Sequence, residues 1–147
     1  MSRLILVLGD QLSEGLSALA EADKGSDIVV MAEVADEAGY VRHHPKKIAL
    51  VFAAMRKFAQ ALKEDGWDLR YTQLDDTHNA GSIVGELLRR AVETGAQEVI
   101  CTEPGEWRLI DKLKYAPIKV QMLPDDRFLA SHADFEGWAE GRKALRM

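Results

Sequence analysis

The chain has 147 residues, 47% of them hydrophobic and 29% charged, and a net charge of -5. That suits one domain that buries a core without staples, and it argues against a broad nucleic-acid face on this chain. The lone cysteine, Cys101, excludes an internal disulfide and a four-thiolate metal site, so a reducing, cytoplasmic setting is expected. No apolar run reaches membrane-spanning length, and Met1-Ser2-Arg3 leads into a strand rather than a signal peptide, so no membrane is expected.

Leu4 to Leu8 is a continuous apolar run, the pattern of a strand buried on both faces of a parallel sheet. It stops at Gly9, where a tight turn meets no Cβ clash, and Gly9-Asp10-Gln11 then sits at the carboxyl edge of the sheet. Leu12, Leu16 and Leu19 predict a first helix from Leu12 or Ser13 to Ala22, with Ser13 as N-cap. Ile28 to Ala32 is a second buried strand ending at Glu33. A long loop, Val34 to His44, carries Glu37, Tyr40, His43 and His44. Pro45 opens a helix whose apolar face runs through Ile48, Val51, Phe52, Met55, Phe58 and Leu62 to Gly66.

The third strand, Asp68 to Leu74, alternates more and belongs nearer an edge. Asp75-Asp76 reads as a solvated turn. Asn79 or Thr77 caps a helix with Ile83, Leu87, Leu88, Ala91 and Val92 on one stripe, closed by Gly95. Val99-Ile100-Cys101 is a short buried strand, followed by Thr102 to Arg108 and a helix holding Ile110 and Leu113. Ile118 to Leu123 is the fifth strand. Ser131 and Asp134 form a capping box for a last helix with Phe135 and Trp138. Strand and helix alternate throughout. The expected fold is α/β and Rossmann-like, a five-stranded parallel sheet of order 3-2-1-4-5 with helices on both faces. The switch point then brings Gly9-Asp10-Gln11 beside Glu103-Pro104-Gly105-Glu106-Trp107, flanked by Glu33 and the Tyr40–His44 loop.

The dinucleotide fingerprint and the Walker pattern are both missing after the first strand. A phosphate there would meet Asp10 and Glu14, so a phosphate-anchored ligand is disfavoured. The predicted pocket instead gathers Asp10, Glu33, Glu37, Glu103 and Glu106. Such carboxylates accept hydrogen bonds from polyol hydroxyls and ring N–H groups, hold magnesium, or serve as caps to the next helix. Tyr40, His43 and His44 are either ligand contacts or members of a partly buried loop. His43-His44 lacks a third ligand at zinc spacing. Trp107 reads as a packing anchor and Cys101 as core. No nucleophile–base pair stands out, so no catalytic residue is assigned.

Leu8-Gly9-Asp10-Gln11-Leu12, Tyr40-Val41-Arg42-His43-His44, Lys46-Lys47-Ile48-Ala49 and Thr102 to Arg108 occur in one order, followed by Asp126-Arg127-Phe128-Leu129 and Gly141-Arg142-Lys143. Together they resemble the N-terminal domain of the deoxyribodipyrimidine photolyase-related proteins, the bacterial (6-4) photolyases and cryptochromes that carry an iron–sulfur cluster. The resemblance spans essentially the whole chain. It implies that residues 1–138 form an antenna domain for 6,7-dimethyl-8-ribityllumazine and that residues 139–147 begin a linker. It also implies a helical C-terminal domain, beyond this chain, that holds FAD and the cluster and meets DNA.

By that resemblance the ligand contacts are Gly9, Asp10, Gln11, Glu33, Glu37, Tyr40, His43, Lys47, Val51, Glu103, Pro104, Gly105, Glu106 and Trp107. The partner is the protein's own C-terminal domain, with a dimer through the docking face as a further option. Light-driven DNA repair and blue-light signalling both stay open for the whole protein. The alternatives are a stand-alone nucleotide-binding module of the same architecture and a magnesium-dependent enzyme built on the acids.

Overall fold

The computed structural model describes residues 2–144. In chain order the elements are β1 (Leu4–Leu6), α1 (Ser17–Glu21), β2 (Ile28–Ala32), α2 (Ala35–Gly39), α3 (Pro45–Glu64) and β3 (Asp68–Thr72). They continue with α4 (Ile83–Thr94), β4 (Glu98–Thr102), α5 (Trp107–Lys114), β5 (Lys119–Leu123) and α6 (His132–Ala139). All strand pairs are parallel, as the alternation of elements predicts, and the sheet order is β3-β2-β1-β4-β5, the commonest order for five such strands.

The inner strands are apolar on both sides because both sides are covered. On one face Leu4, Leu6, Val30, Val99 and Cys101 pack with Ile83 and Leu87 of α4 and Leu109 and Leu113 of α5. On the other, Ile5, Val7, Val29, Met31 and Ile100 pack with Ala18 and Leu19 of α1 and Met55, Ala59 and Leu62 of α3. Cys101 is wholly buried, and burial pushes its thiol up to about 12, so it is core and inert. β3 and β5 carry exposed positions, as edge strands do.

Helix ends follow local chemistry. Pro45 is the first residue of α3, and the His44 ring accepts from the Lys46 amide at 3.1 Å. The αL conformation of Gly95, with φ of 75°, ends α4. Ser131 and Asp134 make the expected reciprocal capping box at α6.

Four expectations need correction. The first helix begins at Ser17, not at Leu12 or Ser13. The stretch before it is a series of turns, Gln11 N to Leu8 O and Leu16 N to Ser13 O. The buried Gln11 amide bonds the Thr102 and Glu103 carbonyls at 3.2 Å each, which draws the chain across β4 instead of letting it coil. The loop from Val34 to His44 contains α2, whose first turn carries Asp36 and Glu37 against the helix dipole. Ser82, not Asn79 or Thr77, caps α4. The Asn79 amide is used instead to bond the Glu33 and Gln73 carbonyls. Trp107 is no packing anchor: it is 77% exposed. Of the expected linker, Leu145, Arg146 and Met147 lie outside the described residues.

Candidate functional site

A cleft with a cavity volume of about 210 Å³ lies over the carboxyl ends of β1, β2 and β4. Strand order reverses between β1 and β4, and open α/β sheets bind ligands at that crevice. Leu8 and Gly9 follow β1, Ala32 and Val34 end β2, and Pro104, Gly105 and Glu106 follow β4; all line the cavity.

One wall comes from the length of α3. Its 20 residues span about 30 Å, whereas a five-residue strand spans only about 17 Å. Met55, Ala59 and Leu62 pack on the sheet, and the first turns overshoot it. Ile48, Val51 and Phe52 therefore continue the apolar stripe as cavity wall, facing Ile83 and Leu109 from α4 and α5. Gly9 permits this close approach. A Cβ there would stand 2.9 Å from Met55 Sδ and 3.3 Å from Val51 Cγ1.

Polar groups gather at the rim. Asp10 faces Gly105: a Cβ on that glycine would lie 3.8 Å from Asp10 Oδ2. Arg127 Nη1 reaches the Asp10 backbone oxygen at 3.4 Å, and among the described residues no donor takes up the carboxylate. Tyr40 Oη donates to Glu106 Oε1 at 2.7 Å. This bond, with Arg108 beside it, holds the Glu106 carboxyl below its ordinary value; the same bond raises the Tyr40 phenol against the opposing pull of Arg108. His43 meets Tyr40 edge-on with 5.5 Å between ring centroids, and its Nδ1 lies 3.5 Å from Lys47 Nζ.

The cavity thus brings together Gly9, Asp10, Glu37, Tyr40, His43, Lys47, Val51, Pro104, Gly105 and Glu106. It leaves out Gln11, Glu33, Glu103 and Trp107. Gln11 is spent on the β4 carbonyls. Glu33 is wholly buried and takes Arg56 Nε at 2.6 Å, Arg56 Nη2 at 2.8 Å, Tyr71 Oη at 2.7 Å and the Leu74 amide at 3.0 Å. Burial pushes Glu33 up, but these donors together outweigh it and hold the group below the ordinary value. Glu103 pairs with His132 Nε2 at 2.7 Å, and Trp107 points to solvent.

The sequence reading missed Arg108 as the counter-charge of the site. Its guanidinium forks Glu37 at 3.1 and 2.9 Å and reaches Glu106 Oε2 at 2.8 Å. Two of the rim acids are thereby neutralised in part, and among the described residues no three His, Cys, Asp or Glu side chains converge as a metal site. No helix starts at the β1 turn to cradle a phosphate, because α1 begins only at Ser17. An apolar slot with a rim of carboxylates, a phenol and an imidazole suits a flat ring carrying O–H and N–H donors.

Comparison with known proteins agrees in extent with this single α/β unit. The chain is 48% identical to a (6-4) photolyase of Agrobacterium fabrum strain C58, over all of its own length and 30% of that protein's. It therefore spans less than a third of the curated relative it matches. The family model for deoxyribodipyrimidine photo-lyase-related proteins matches residues 5–147, and the chain belongs to that family.

Proposed function

We propose that this chain is the light-harvesting domain of a larger photolyase-related protein. It binds 6,7-dimethyl-8-ribityllumazine in the cleft above β1 and β4. Excitation then passes to FAD in a helical C-terminal domain beyond this chain, for DNA repair or blue-light signalling. The protein's part is to orient and shield the chromophore; no bond is made or broken at this site. The iron–sulfur ligands also belong to that second domain, since the one cysteine here is buried core.

The observation that carries this reading is the character of the cleft. Its walls are aliphatic and aromatic, its rim is rich in acceptors, and it offers no glycine cradle to a phosphate. A ribityllumazine matches each point: a flat heterocycle, a hydroxylated tail and no phosphate. The Asp10 carboxylate, which takes no donor among the described residues while Arg127 reaches only the backbone oxygen, is left to accept from the tail or ring.

The test is a fluorescence titration of the purified chain with the lumazine, with ATP and FMN as competitors. Saturable binding that is lost in Asp10→Ala and indifferent to ATP is expected. Tight ATP binding without a lumazine response overturns the reading and favours a nucleotide module.

A further inference from the structure

Three side chains of the cavity rim come from separate places: Glu37 from α2, Tyr40 from the turn after it, and Glu106 from the loop before α5. α2 is one short helix without a single buried residue, so packing does little to hold it. One backbone bond, from Asp36 N to Gly81 O at 3.1 Å, joins it to the segment before α4, and the side-chain ties are ionic. Arg108 Nη1 and Nη2 each donate to one oxygen of Glu37, at 3.1 and 2.9 Å. Nη2 also donates to Glu106 at 2.8 Å, and the guanidinium lies 4.0 Å from the centroid of the Tyr40 ring. One turn further along α5, Lys112 Nζ reaches Asp36 at 2.9 Å.

We propose that Arg108, which does not itself line the cavity, is the positioning residue of the site. It clamps α2 to α5 and fixes Glu37, Tyr40 and Glu106 in one acceptor geometry for an uncharged ligand that donates O–H or N–H groups. This inference rests on the cleft being the ligand site proposed above. The chemistry needs an arginine. A planar guanidinium holds Glu37 with two parallel bonds, reaches Glu106 and lays its face on the Tyr40 ring at once, whereas an ammonium is a point charge with neither the two-pronged fork nor a flat face. Each clamped carboxylate oxygen keeps a lone pair, so the ends facing the cavity stay available as acceptors. Preorganisation of this kind lowers the cost of ordering the rim when the ligand arrives.

The test uses Arg108→Lys and Arg108→Gln in the purified chain, with two readouts. The first needs no ligand: amide hydrogen exchange across residues 35–40 should rise tenfold or more in both variants, with β1, β2 and β4 unchanged. The second is the dissociation constant for 6,7-dimethyl-8-ribityllumazine, which should rise tenfold or more in both. Arg108→Lys should not rescue binding, although it keeps the charge. Adding Glu37→Gln to Arg108→Gln should weaken binding no further than the worse single change. Unchanged exchange in α2 overturns the clamp. Wild-type affinity in Arg108→Lys overturns the role of the fork, and exchange that rises across the whole sheet in both variants makes Arg108 a general packing residue. A wild type that binds no lumazine overturns the proposed function instead, and the exchange result then decides this inference alone.

Discussion

Gly9 lies directly under Met55: a Cβ built on the glycine would stand 2.9 Å from the methionine sulfur. That contact sets how closely α3 approaches the end of β1, and so the width of the cleft between them. Gly9→Ala must displace Met55 and Val51 or lift the helix. Overpacking of this sort costs about 1–3 kcal/mol. Urea unfolding should show that loss, and lumazine affinity should fall with it, because Val51 and Met55 both line the cavity. Met55→Ala removes the obstructing sulfur, so in the double variant the Gly9→Ala penalty should shrink. Equal penalties in the two backgrounds would show that the glycine matters for another reason.

Stability in acid should be governed by buried carboxylates away from the cleft. Burial raises Asp27, Glu33 and Glu86, but in each case the donors around the group outweigh that effect and the net direction is down. A depressed folded value means that the unfolded chain binds the proton first. The contribution is therefore complete above the ordinary glutamate value of 4.5 and aspartate value of 3.8, and is lost as pH falls through the lower folded values. Glu33→Gln should lose about 1–3 kcal/mol at neutral pH, where it gives up charge-assisted bonds to Arg56. Its stability should then decline less steeply than the wild type's below about pH 4.5. Parallel curves from urea unfolding across that range would contradict this.

The fate of Glu33 shows what the sequence left legible. Continuous apolar runs marked β1, β2 and β4 as buried strands and alternation placed β3 nearer an edge, while the order itself came from the commonest arrangement of five such strands, which the sheet adopts. The switch point then located the cleft. The side chains at its edge needed finer parity. Ala32 and Val34 end on the face of α4 and α5, so Glu33 between them turns to the face of α3 with Met31. Parity of that kind was readable, and it would have removed Glu33 from the rim. On α5 the buried stripe is Leu109 and Leu113. Trp107, two residues before Leu109, sits about 200° around the helix and faces outward. Arg108 is turned only about 100° from the stripe, which is where it finds Glu37. The turns from Leu12 to Leu16 were harder to foresee. Leu12, Leu16 and Leu19 do have helical spacing, and the helix is displaced by a long-range bond from Gln11 that no local pattern encodes.

Gln11 is wholly buried and donates its amide to two carbonyl oxygens, Thr102 O and Glu103 O, each at 3.2 Å. These bonds fix the β1 turn against the end of β4, the two strands that flank the switch point. Gln11→Glu keeps the shape and reverses the chemistry, since an ionised carboxylate has only acceptors to offer to two acceptors. The expected cost at neutral pH exceeds about 3 kcal/mol, more than for Gln11→Ala, because an unpaired buried charge is worse than an unpaired carbonyl. The pH dependence should carry the opposite sign to that of Glu33. Burial and the facing carbonyls raise the folded value of the introduced carboxyl above its unfolded one. The folded state then holds the proton longer, so stability is retained in acid and lost as pH rises from the unfolded value through the folded one. Unfolding of the variant from about pH 4 to pH 8 should show this fall after subtraction of the Gln11→Ala curve. A flat difference would mean that the side chain swings out to solvent, and that the β1 turn does not depend on the two bonds.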